Sequence, residues 1–345
     1  MTSVRHENNF DFLRLASALV IIVSHAYALQ IGYGSMYRYD PMIFIGTTAL
    51  ASLFVISGHL ISQSWIYQPD LKRYLWKRIL RVFPGLFPAI LFTLFIIGPI
   101  ATIFSLPDYL GALLSPSTLM AMPFFMNGAC IGLFDQNPVT FVNASLWTIP
   151  VEFSMYLVVA FLGVLGCLRK KWILLSMIAA NFLVWILFYQ DPSLAKVRFI
   201  LYFLIGTYLA IHHPDHRYRP VTAGILGFLL VLTIFSPVYE FVALVAVPYI
   251  VLCIAHLKIA PLNNFGERGD FSYGVYIYAY PIQQTIVVLL GPSLPLWLYC
   301  SLSIALTFPL AYLSWHLIEK KALALKQIDL SPGRFPWPSE RLFFK

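Results

Sequence analysis

The fold class that this sequence predicts is an all-α integral membrane protein, a single bundle of about ten transmembrane helices with both termini in the cytoplasm. Three observations predict it. Apolar residues make up 59% of the 345 residues and charged ones 11%, and the mean hydropathy is +0.77. Soluble domains run at about half apolar and about a quarter charged. The apolar residues gather into ten blocks, 11–30, 43–65, 82–104, 144–167, 173–190, 197–212, 221–236, 240–257, 272–290 and 295–316. Most are long enough to approach the roughly 30 Å of a hydrocarbon core. Finally, with the N-terminus placed in the cytoplasm, 20 of the 23 lysines and arginines fall in cytoplasmic segments and three, Arg38, Lys196 and Arg198, on the other side. That asymmetry is the positive-inside pattern of an even number of spans.

The same distribution settles what the charge means. A net charge of +8 and a pI near 9.2 suit nucleic acid, but the bases flank apolar blocks and form no basic stripe, which excludes that partner. Membrane lipids are the expected surroundings. The domain reading is one transmembrane unit over 1–326 and a cytoplasmic tail, 327–345, with three prolines and loose attachment. Cys130, Cys167, Cys253 and Cys300 have neither metal-ligand spacing nor the pattern of a disulfide framework.

The first block carries the ionisable residues Arg14 and His25 inside its ends. Eleven helical steps turn about 1100°, three turns plus about 20°, and rise about 16 Å. The two side chains therefore lie nearly on one line, with Arg14 near a mouth of the span and His25 well inside it. Ionisable groups at that depth face a protein interior or a wet cavity and are functional candidates; a structural histidine bonded to a neighbouring carbonyl is the plainer reading. Residues 15–23 followed by Ala26-Tyr27-Ala28 also resemble a signal-peptide core and cleavage site, but cleavage there would discard both ionisable residues.

In the second block Gly58 permits close helix approach, and His59 reads equally as a hydrogen-bonding structural residue or a site residue. The loop that follows, L-K-R-Y-L-W-K-R-I-L-R-V-F-P, is the strongest polar signal, and on a helix its Arg78 and Arg81 would share a face. Their planar forks suit phosphate oxygens; ordinary positive-inside charge or anionic-lipid contact is the alternative, preferred for Lys72, Arg73 and Lys77. Residues 105–143 hold an additional apolar piece, re-entrant or on the surface.

The fourth block begins N-A-S-L-W-T-I-P-V-E-F. Asn143 or Ser145 is its expected cap, Pro150 is expected to kink it, and Glu152 is the one carboxylate placed inside a span and not at its end, at a depth like that of His25. A carboxylate orienting a histidine is sensible chemistry, with a bonded structural carboxylate as the competing account. Blocks five to eight read as scaffold, and the three histidines of 212–220 as a solvated turn. In the ninth, Tyr273, Tyr276 and Tyr280 share a helix face, suited to sugar hydroxyls or to packing. The tenth ends S-W-H-L-I-E-K-K, with Glu319 among bases and an arginine as its expected partner.

At these residues the chain resembles the membrane acyltransferase-3 family, bacterial O-acetyltransferases of surface polysaccharides. The likeness runs over nearly the whole chain, through F-D-F-L-R with a histidine eleven after the arginine, L-F-V-I-S-G-H-L-I, K-R-I-L-R-V-F-P, L-W-T-I-P-V-E-F, S-Y-G-V-Y-I-Y-A-Y-P and S-W-H-L-I-E-K. It departs at Ala279, where many members have histidine, and at His59, where phenylalanine is usual. The resemblance implies acetyl-CoA as acyl donor, no metal, and a glycan hydroxyl as acceptor, whether or not lipid-linked, across the bacterial inner membrane. It also implies an essential pair at Arg14 and His25, and coenzyme phosphate contacts at Arg78 and Arg81.

The expected site follows: His25 as base or acyl carrier, oriented by Glu152; Arg14, Arg78 and Arg81 for the coenzyme; Trp147, Tyr273, Tyr276 and Tyr280 for the sugar. The rival reading is a transporter or flippase of glycan or lipid intermediates, for which paired broken helices in an internal repeat would be the sign; no convincing repeat is visible. The same fold transferring succinyl or a longer acyl group is a further variant.

Overall fold

The computed structural model describes residues 8–32, 40–115, 131–189, 191, 194, 196–213, 218–263 and 265–328. Arg5, Arg38, Cys130, His216, the 116–130 part of the extra apolar piece and most of the predicted tail lie outside them. Among the described residues all regular structure is helical, apart from one isolated bridge between Thr102 and Leu133. Each of the ten apolar blocks falls on a helix. These are α1 Phe10–Ile31, α2 Pro41–Tyr67, α3 Leu71–Ala101, then, after a short α4 Leu106–Leu113, α5 Ala144–Val164, α6 Lys171–Leu187, α7 Val197–His212, α8 Pro220–Thr233, α9 Val238–His256, α10 Ser272–Leu290 and α11 Leu296–Gln327.

Six of these, α1, α2, α3, α5, α9 and α11, are long and apolar enough to cross a membrane. Three others, α6, α7 and α8, are apolar but only 17, 16 and 14 residues long, short of the roughly 20 that a straight span needs.

Helix ends follow local chemistry, with some differences from expectation. The basic segment is not a loop: it is the first half of α3, begun by Asp70, whose carboxylate accepts from Arg73 N at 2.8 Å. The helix carries Pro84 and Pro88, each of which removes a backbone donor, and farther on loosens into a π turn at Thr93–Ile97. Asn143 is the cap of α5, accepting from Ser145 N at 3.1 Å. Pro150 produces no mid-helix kink. It falls in the first turn of the α-helical part, Thr148–Val164, where its missing N–H has no partner to lose. The irregularity lies just before it, in the 3-10 turn Ala144–Trp147. The last helix runs past 316 through a second π turn, Trp315–Glu319.

The closest pairing, α2 against α7, comes from small residues. A side chain at Gly58 would meet the carbonyl oxygen of Phe203, and one at Gly206 that of Val55. The two backbones touch reciprocally, as small residues allow inside a bilayer. Ser62 closes the crossing, donating to Gly58 O at 2.7 Å and to Thr207 Oγ1 at 3.0 Å. On its other side α2 packs against α1, which in turn packs on α10 and α11. Asn9 ties the start of α1 to the end of α9, its Nδ2 donating to Ile254 O at 2.7 Å and Leu257 O at 2.9 Å. His59 belongs to this fabric: it is fully buried, bonds Gln63 Nε2 at 3.1 Å, and its ring lies 5.5 Å from Phe10 and 5.8 Å from His256.

Gly58→Val should therefore force the helices apart, an overpacking cost of about 1–3 kcal/mol or more, whereas Gly224→Val on α8, with nothing within 4 Å, should cost little. Thermal unfolding in one detergent compares them, and equal melting temperatures would refute the close crossing.

Candidate active site

Two cavities lie along α1, one at each ionisable residue. The first, about 380 Å³, is lined by Arg14, Lys77, Arg78, Arg81 and Lys326 together with Asp11, Glu152 and Asp270. The second, about 550 Å³, is mostly apolar and contains His25, Trp147 and Phe199. Leu50 and Tyr276 line both. The helical spacing of Arg14 and His25 thus sets one in each chamber, and the two chambers meet at a wall of two shared side chains.

In the basic cavity the arginines are not equivalent. Arg81 NH2 donates to Asp270 Oδ2 at 2.6 Å, and Arg14 NH1 lies 3.6 Å from the same oxygen and 3.2 Å from Asp11 Oδ1. Arg78 has no carboxylate partner among the described residues. Its NH2 donates to Ser64 Oγ at 3.1 Å, and its guanidinium lies 5.5 Å from the ring centre of Tyr74 and 6.0 Å from that of Tyr156. Aromatic faces hold a guanidinium without cancelling its charge. Arg78 is accordingly the arginine best able to take an incoming anion.

Asp270 is the residue that sequence reasoning missed. It stands in the segment before α10, 189 positions from Arg81, and only its place beside S-Y-G-V-Y hinted at it. Burial pushes its carboxyl up, but Arg81 and Arg14, with hydrogen bonds from Ser272, overcome that and hold it down at about 2.

Glu152 does not reach His25. It lines the basic cavity, and its Oε1 accepts from Ser57 Oγ and from Tyr156 OH, both at 2.5 Å; Oε2 has no protein partner among the described residues. The register between α5 and α1, which no local motif encodes, brings it to Ser57 on α2 instead. The tyrosine face of α10 is likewise divided. Residues three and four apart on a helix sit about 5 Å apart along its axis, so the three reach different depths. Tyr273 lines the basic cavity and donates to Val82 O at 2.8 Å. Tyr276 stands between the cavities, donating to Ser145 O at 3.0 Å and paired with Thr148 Oγ1 at 2.8 Å. Tyr280 is fully buried and lines neither cavity, its ring packed edge-on at 5.1 Å from that of His25. Trp147 is in the His25 cavity, packed at 5.5 Å on Phe199. Glu319 makes no ion pair with an arginine among the described residues; buried behind the basic cavity, it accepts from Ser314 Oγ at 2.7 Å.

A cationic chamber and a histidine chamber lie along one helix, and comparison with known families places the chain among the acyltransferases. More narrowly, it belongs to the acyltransferase-3 family, whose model, described as an acyltransferase domain, matches residues 7–316. The chain is similar to an O-acetyl transferase of Shigella phage Sf6, 28% identical over 346 residues that span 94% of this chain and 99% of that one. It is also similar to nodulation protein 10 of Rhizobium leguminosarum bv. viciae, 26% identical over 363 residues, 93% of this chain and 94% of the other. No solved structure matches it.

Asp270→Asn should leave Arg81 without its carboxylate and Arg14 with Asp11 alone, and cost on the order of 3 kcal/mol; adding Arg81→Gln should recover part of that loss. The pH dependence has a definite sign. A carboxyl held below its unfolded value, about 3.9, contributes stability that is complete above that value and disappears as pH falls through about 2. Melting temperatures of wild type and Asp270→Asn should converge as pH falls from 5 toward 2; parallel curves would refute the pairing.

Proposed function

We propose that this protein is a ten-span O-acyltransferase with both termini in the cytoplasm. In this reading it moves an acetyl group from cytoplasmic acetyl-CoA to a hydroxyl of an extracytoplasmic glycan, in a bacterial inner membrane. The observation that carries it is the pair of cavities sharing Leu50 and Tyr276, with unneutralised basic charge in one and His25 in the other.

The coenzyme phosphates take Arg78 first, because Arg81 is held by Asp270. Arg81 and Arg14 act mainly by keeping that end of the cavity cationic. The free oxygen of Glu152 suits an amide N–H of the pantetheine arm, and Glu152 has no part in orienting His25. The thioester then comes to the Leu50–Tyr276 wall. In the direct route His25 takes the proton of the acceptor hydroxyl as its oxygen attacks the thioester carbonyl; the C–S bond breaks, and the leaving thiolate recovers the proton from the imidazolium. In the two-step route the imidazole attacks the thioester carbonyl first, the C–S bond breaks and the thiolate leaves with the imidazole's proton; the hydroxyl then attacks the acyl-imidazole, the N–acyl bond breaks, and the freed imidazole takes the hydroxyl proton. Either suits an imidazole, which can pass a proton or carry an acyl group. Similarity to an O-acetyl transferase supports acetyl as the group moved.

Radiolabelled acetyl-CoA supplied to purified protein with candidate glycans tests this directly. Label should pass to sugar with the wild type and not with His25→Ala, which should keep the wild-type melting temperature. Normal transfer by that variant would overturn the assignment. Arg78→Ala should weaken coenzyme binding about tenfold, the scale of a charge-assisted hydrogen bond, and more than Arg81→Ala does once the latter is corrected for folded protein. Unchanged affinity would make Arg78 a lipid contact.

A further inference from the structure

The wall around His25 is charged in one sense only. Its cavity contains Lys196 and Arg198 and no carboxylate. Arg198 is occupied, its NH1 donating to Glu240 Oε1 at 2.6 Å. Lys196 is exposed and pairs with no carboxylate among the described residues; its Nζ stands 5.7 Å from the ring centre of Trp147. These are two of the three bases assigned to the extracytoplasmic side, where such residues are scarce.

The hydroxyls of the same cavity sharpen the point. Ser24 donates to Met42 O at 2.8 Å and Thr47 to Phe44 O at 3.1 Å, and Tyr276 is occupied by Ser145 O and Thr148. Ser145 is different: it is 2% exposed and its Oγ has no hydrogen-bond partner among the described residues. A buried hydroxyl left unpaired is costly, and a ligand in this cavity would supply what it lacks. An unpaired cation, an orphaned donor and a broad indole together describe a binder of an anionic sugar.

We propose that the His25 cavity takes an acceptor sugar bearing an anionic group, a carboxylate on the sugar or a phosphate linked to it. Lys196 binds the charge, Ser145 donates to an oxygen of the same ligand, and Trp147 covers the ring. This rests on the reading of that cavity as the acceptor site, but its test does not need acetyl transfer.

Isothermal titration of the full-length protein in nanodiscs with octyl glucoside, octyl glucuronide and citronellyl-phosphoryl-glucose compares a neutral probe with each source of charge. One charged probe or both should bind about tenfold or more tightly than the neutral one, the worth of one charge-assisted contact, and the margin should shrink as salt rises. Whichever charged probe wins names the source. Lys196→Gln should abolish the margin and Lys196→Arg keep it, both with wild-type melting temperatures, and Ser145→Ala should weaken the charged probe further. Equal binding of all three probes, no binding of either charged one, or a margin that survives Lys196→Gln would overturn the proposal. A margin found in protein that transfers no label from acetyl-CoA would leave this inference standing and remove the catalytic one.

Discussion

A carboxylate between two guanidiniums organises the basic end of this molecule. Asp270 takes Arg81 from α3 and Arg14 from α1 onto a single oxygen, and so clamps together three parts of the chain that are remote in sequence. Charges removed from water are tolerated only when such partners are supplied. That carboxylate holds Arg81, while Arg78 in the same cavity has no carboxylate partner among the described residues. Without it Arg14 of α1 and Arg81 of α3 would line one cavity with Asp11, beside Arg14, as their one carboxylate partner among the described residues.

Much of the fold was legible because membrane helices announce themselves locally. Ten apolar blocks fell on ten helices, and the eleven-residue spacing of Arg14 and His25 carried straight through to two cavities on one helix. Gly58 and the Asn143 cap were equally readable, since each acts through its immediate backbone. What escaped was register between helices. Glu152 went to Ser57 and Tyr156 and not to His25, Arg81 found Asp270, and Glu319 turned to Ser314. None of these choices has a local signal, because the partner is fixed by how deeply each helix sits against its neighbours.

The segments that strayed from expectation share a cause as well. The basic stretch before 82 became helix because Asp70 starts it and its bases have a cavity to face, although in sequence it had the look of a positively charged loop. The π turns in α3 and α11 occur in long helices, and the second contributes Trp315 to the basic cavity and buries Glu319 behind it. An extra residue per turn re-aims side chains that a regular helix would point elsewhere.

The partition formed by Leu50 and Tyr276 has a consequence beyond chemistry. An energised bilayer charges about 2.3 kcal/mol for each elementary charge carried across 100 mV, so an open bore through a membrane protein would leak ions. Leu50, an aliphatic side chain, and Tyr276, a phenol already committed to Ser145 and Thr148, line both cavities and stand where such a bore would have to run. In the proposed reading that junction passes a small neutral group while holding back protons and metal ions, so the voltage difference would survive each turnover.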